Sequence, residues 1–180
     1  MKKNMSMRMG KLSGTAAALS LLAAATMAHA GEANTSASAG SNGRGPGTAT
    51  ATAAYNGGGP GWARTNTRSG NINYGRGTAF GIDRDGVSFS VSQALAPRFG
   101  PALASTFNVS IGFDGSVNTS HGSSIARGSP VREVNAGGFA NTGNRFSTGS
   151  AGSTAGGRTG IGGRVTAETK SDSRRVFFRR

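Results

Sequence analysis

The 180-residue chain contains no cysteine, so no disulfide can hold a small exported fold together. Acids are scarce: seven Asp and Glu stand against twenty Lys and Arg. His29 and His121 are the two histidines. A zinc centre needs three or four His, Cys or carboxylate ligands. A Ser-His-Asp triad beyond residue 30 would have to be built on His121, which sits just past an expected hairpin, a solvated loop position. A glycosidase needs two facing carboxylates in a supported cleft. Asp83-Arg84-Asp85-Gly86 carries a fragment of a calcium loop. It lacks further oxygen ligands and a distal Glu, Arg84 opposes a cation, and a turn alone explains Asp and Gly here. Glycine is so frequent, at 31 residues, that phosphate-loop spacings arise by chance, and none is followed by Lys-Ser/Thr and an amphipathic helix. These shortages lead us to expect a non-enzyme without metal or cofactor.

Large apolar side chains are also few. Lys2, Lys3, Arg8 and Lys11 precede an uncharged Ala/Leu stretch from Leu12 to Met27, and Ala28-His29-Ala30 has the small-x-small form of a signal-peptidase site. Residues 1–30 therefore read as a bacterial secretory signal peptide, and the chain as exported to the periplasm, the cell surface or the medium. Removing four positive charges from the formal +13 leaves +9, and of the sixteen basic residues that remain fifteen are Arg and one is Lys170. From Gly31 to Arg180, Leu, Ile, Val and Phe number 24 of 150, or 16%. That is below the roughly 20% at which chains tend towards disorder. A single large core is excluded. A small β core with Gly-rich arms, or an elongated β structure ordered by neighbouring chains, is the remaining route to order.

The most informative stretch is Thr78 to Ser120. Val87, Phe89 and Val91 alternate with serines, and Phe107, Val109, Ile111 and Phe113 alternate with Asn, Ser and Gly. Period-two alternation places each set on one face of a strand. Asp85-Gly86 and Asp114-Gly115 fall between such runs, and Asp-Gly there is a strong hairpin signal. Two hairpins are expected, with these seven apolar residues as the packing face. Pro97 and Pro101 stop any helix in Gln93–Ser105, so helix is nearly absent beyond residue 30.

The rest divides by composition. Residues 31–77 form a low-complexity segment rich in Gly, Ser, Thr and Asn, with Gly31–Gly47 read as linker and Thr48–Tyr55 as an alternating Thr/Ala tract. Within it, Trp62, Arg64, Arg68, Tyr74 and Arg76 interleave aromatic and cationic groups, the chemistry of polyanion binding. Residues 78–135 hold the hairpin core, 136–163 a Gly-rich linker, and 164–180 a surface strand and tail. Val176, Phe177 and Phe178, bracketed by arginines, form an adhesive segment with charged gatekeepers, a candidate for assembly. The composition resembles small exported Gly/Ser/Thr/Asn-rich proteins of bacterial surfaces, including matrix and fibre subunits, without the regular Gln/Asn repeats of curli-type subunits. The expectation is a mostly β, secreted, non-enzymatic structural or adhesive component that self-assembles through β pairing. The alternative is a cationic protein that binds anionic polymers such as polysaccharide, lipopolysaccharide or extracellular DNA. Its partner is thus either itself or such a polymer; intracellular nucleic acid is not expected, given export.

Overall fold

A computed structural model describes residues 31–42, 47–128, 130–144 and 147–175. These residues form ten β-strands and no helix. Residues 1–30, read above as a signal peptide, and Val176–Phe178 lie outside the described residues.

The strands are β1 (Glu32–Ser41), β2 (Thr48–Asn56), β3 (Gly61–Arg68), β4 (Ile72–Asp83), β5 (Gly86–Pro97), β6 (Ala102–Gly112), β7 (Ser116–Arg127), β8 (Arg132–Asn144), β9 (Ser147–Thr159) and β10 (Arg164–Arg175). They make two antiparallel sheets, one ordered β2-β1-β8-β9 and the other β10-β7-β6-β5-β4-β3. The two expected hairpins are present. Asp83 pairs with Gly86 across the Arg84-Asp85 turn. At the β6–β7 turn the Gly115 amide donates to the Gly112 carbonyl at 3.0 Å. Gly115 has φ 85°, a conformation that costs glycine little and other residues more. The Gly-rich tracts read as linker from the sequence are drawn into strands β1, β8 and β9 of the smaller sheet. Backbone pairing, which needs no side chain, accommodates them.

The sheets pack face to face, and the layer between them is made of small residues. Ala37, Ala39, Ala94, Ala96, Ala102, Ala104, Ala126, Val134 and Ala136 form its apolar cluster. Beside it lies a polar half. Thr35 Oγ1 on β1 is 2.7 Å from Ser90 Oγ and 2.7 Å from Ser92 Oγ on β5, which ties the sheets together. Ser90 Oγ also donates to Asn108 Oδ1 at 2.5 Å, and Asn108 Nδ2 donates to Ser120 Oγ and to the Gly152 carbonyl, each at 3.0 Å. Every bond of this kind removes a desolvation penalty that an unpaired hydroxyl or amide would carry.

This arrangement overturns one expectation. Val87, Phe89, Val91, Phe107, Val109 and Ile111 do share a face, but it is the outer face of the larger sheet, and Phe113 lies in the β6–β7 turn. The buried positions are their alternating neighbours Ser88, Ser90, Ser92, Thr106, Asn108 and Ser110. Period two determines which residues go together; it does not say which set turns inward. The opposing sheet decides that. Opposite these positions its inner face is mostly small residues, and the approach is close: a Cβ added at Gly75 or Gly77 would run into the Thr50 or Thr52 carbonyl of β2. The one ring among the described residues of that face, Tyr55, lies where Gly61 and Gly81 of the larger sheet have no side chain.

Candidate functional site

Register places the outward side chains of the six-stranded sheet in rows, since directly opposed residues of antiparallel strands share a face. One row runs Trp62, Phe80, Phe89, Val109, Thr119, Asp172. The next runs Arg64, Thr78, Val91, Phe107, His121, Lys170. On the other side of the first row lie Ile82, Val87, Ile111 and Val117. Further along, Tyr74, Leu95, Leu103 and Ile125 form a second apolar row. The result is an apolar field across β4 to β7 in two parts, divided by the polar row Arg76, Gln93, Ser105 and Ser123, and bordered by arginines on β3 and β4 and by mixed charge on β10. Phe107 is 45% exposed and Phe113 66% exposed.

The polyanion candidates fall together at one margin of that field. Trp62, Arg64 and Arg68 stand on the outer face of β3, and Tyr74 and Arg76 on the outer face of β4. Arg68 is directly opposite Tyr74, and Arg76 is opposite Asn66. Trp62, Arg64, Thr65, Asn66, Arg76 and Thr78 line an open cavity of about 360 Å³. The Trp62 and Phe80 rings are 6.3 Å apart with a 32° tilt, so the indole is braced from one side and half exposed on the other. Arg68 and Tyr74 lie just outside the lining. The outer face of β3 and β4 holds three guanidiniums and no carboxylate to offset them.

Other residues have structural duties. His121, expected in a loop, lies within β7 with Phe107 and Lys170 as its cross-strand neighbours. Asp83 accepts the Arg84 amide at 2.5 Å and the Gly58 amide at 3.3 Å, so its carboxylate secures the turn and the β2–β3 connection. Burial, and then the Asp83 carboxylate, push the Tyr55 hydroxyl above its ordinary pKa. At the β6–β7 turn, Asp114 Oδ1 accepts from the Ser116 hydroxyl at 2.6 Å and the Ser116 amide at 2.9 Å, and Arg175 is 3.2 Å from Oδ2. The Ser116 bonds first, and the Arg175 guanidinium with them, hold the Asp114 carboxyl below its ordinary range. Arg132, which the sequence did not single out, is buried. Its guanidinium donates to the carbonyls of Gly128 at 2.7 Å and Arg98 at 2.6 Å, clamping the β7–β8 and β5–β6 connections together. No alternation or motif signals it, since its acceptors are backbone groups distant in sequence.

Among the described residues no three His, Cys, Asp or Glu side chains cluster to hold a metal, and no helix is long and apolar enough to cross a membrane. The chain matches no protein-family model and has no significant match among curated proteins or solved structures.

Proposed function

We propose that the protein is an exported, non-enzymatic structural or adhesive component of a bacterial surface or matrix, whose copies self-assemble. The observation that supports this is the outward apolar field on the six-stranded sheet. A lone subunit leaves Phe89, Val91, Phe107, Val109 and Ile111 partly in water, and a second copy of the same face covers them. The four strands β4 to β7, at about 4.8 Å spacing and about 12 residues long, present on the order of 750 Å². That is close to the roughly 800 Å² each partner contributes to a stable interface. The outer face of the smaller sheet is mostly polar, as in the Ser36–Thr52 and Ser38–Thr50 hydroxyl pairs at 2.7 Å, with Phe139 the large apolar side chain on it. Gly-rich strands suit a subunit of this kind, since their order comes from pairing rather than from a large core. Val176, Phe177 and Phe178 follow β10 and remain assembly candidates.

The test is sedimentation with far-UV circular dichroism on Gly31–Arg180, which contains all ten strands, at low and high salt. Salt-resistant heavy species with a β spectrum support a subunit. A monomer at every concentration refutes it.

A second reading is favoured by the clustering of Trp62, Arg64 and Arg76 around one cavity. In it, the chain coats an anionic polymer, with guanidiniums on carboxylate, sulfate or phosphate groups and Trp62 stacking on a ring. Binding to an immobilised acidic polysaccharide that weakens steeply with added salt supports it. Salt-insensitive binding, or no binding, excludes it.

A further inference from the structure

The larger sheet overhangs the smaller one at both sides. Its outer strands, β3 and β10, are exposed along nearly their whole length on both faces. Neither has a further strand on its outer side among the described residues, so each offers an unpaired row of amides and carbonyls. Neighbouring strands in this sheet all run antiparallel and there are six of them. An even number means that β3 and β10 point in opposite directions. A second copy placed edge to edge, with the same face outward, therefore presents its β10 antiparallel to the first copy's β3, and the sheet continues without a break.

We propose that β3 of one copy pairs with β10 of the next, in the register that sets Arg64 opposite Asp172 and Arg68 opposite Glu168. The other pairs follow from that register. On the outer face Trp62 meets Arg174 and Asn66 meets Lys170; on the inner face Thr65 meets Ser171 and Thr67 meets Thr169. Opposite charges, a cation over an indole, and paired hydroxyl side chains are the cross-strand combinations that stabilise antiparallel pairs. Asp172 already accepts Arg174 at 2.7 Å, with Arg174 largely and Asp172 partly exposed, and an incoming Arg64 completes a chain of alternating charge. Two β3 strands gain less from pairing, because one register sets Arg64 against Arg68 and none offers either guanidinium a carboxylate. The contact joins two different surfaces, so it is heterologous and does not close, and copies add into a filament. This deepens the self-assembly reading and rests on it, but it is separate from the apolar face, which closes after two copies.

One competing arrangement is β10 against β10, with Glu168 opposite Arg174 and Lys170 opposite Asp172. It stops at a dimer and leaves β3 out. Charge reversal separates the two. Four chains spanning Gly31–Arg180 are compared by sedimentation and electron microscopy at low salt, after circular dichroism establishes that each is folded. They are the unchanged chain, Arg64→Glu with Arg68→Glu, Glu168→Arg with Asp172→Arg, and all four changes together. The expected result is filaments from the unchanged chain, a critical concentration raised about tenfold by either double change, and recovery in the quadruple variant. Filaments unaffected by Arg64→Glu with Arg68→Glu overturn the proposal, as does a folded quadruple variant that fails to recover. An unchanged chain that stops at a discrete dimer overturns the edge contact while leaving the subunit reading in place. A monomer at every concentration removes both.

Discussion

Replacing Ser90 should harm this fold more than truncating Phe107, against the usual ranking of core and surface. Ser90 is fully buried. Its hydroxyl meets Thr35 Oγ1 at 2.7 Å and Asn108 Oδ1 at 2.5 Å, with the Gly138 carbonyl at 3.2 Å. Ser90→Val removes the hydrogen bond to Asn108 Oδ1, at about 1–3 kcal/mol for the buried acceptor left behind. It also adds a methyl group to a layer with no room, at about 1–3 kcal/mol for overpacking. The sum is about 2–6 kcal/mol. Phe107 lies on the outer face at 45% exposure. In an isolated subunit Phe107→Ala leaves no enclosed cavity, and it loses at most about half of the roughly 3–5 kcal/mol a fully buried Phe→Ala costs. Urea unfolding followed by circular dichroism, at a protein concentration below the onset of assembly, compares the two directly. At about 2–4 °C per kcal/mol for a chain of this size, the Ser90 variant should melt several degrees below the Phe107 variant. Phe107→Ala losing 3 kcal/mol or more, with Ser90→Val unchanged, would place the phenyl groups in the interior and refute the inverted packing.

Gly77→Val should abolish folding, because its Cβ meets the backbone carbonyl of Thr52, which cannot swing aside; loss of the β spectrum is the readout. Arg132→Met should cost about 1–3 kcal/mol in urea unfolding, since it strips the part-buried Arg98 and Gly128 carbonyls of their donor, and Arg132→Lys should not restore both bonds. Asp114 is held below its ordinary pKa when folded, so its contribution is present above the usual carboxylate range and is lost as pH falls through the lowered value; an acid titration of stability should show a shallower decline in Asp114→Asn. Trp62→Ala should weaken retention on an acidic polysaccharide severalfold while the chain stays folded by circular dichroism, because the indole is half exposed.

Much of the strand content was readable from alternation and turn chemistry. The Asp85-Gly86 and Asp114-Gly115 turns and the runs on either side are local properties, and the hairpins appear where those signals lie. The grouping of Trp62, Arg64, Arg68, Tyr74 and Arg76 was also latent in the sequence, since even spacing on two paired strands puts them on one face. The Gly-rich strands β8 and β9 were not readable. Their side chains carry no period, and their order comes from partners far along the chain, as in the Ala33–Ala140 and Ala136–Ala155 pairs.

The sequence by itself determined which side chains travel together. A strand turns successive residues to opposite sides, so Val87, Phe89 and Val91 could never be separated from one another or joined to Ser88 and Ser90. Only the tertiary structure decided which set would be buried. That choice depends on the surface brought against it: an opposing sheet of mostly small residues approaches too closely for phenyl rings at these positions, and its Thr35 hydroxyl meets Ser90 and Ser92. The small face went inside because it fits there, and the large apolar face was left outward.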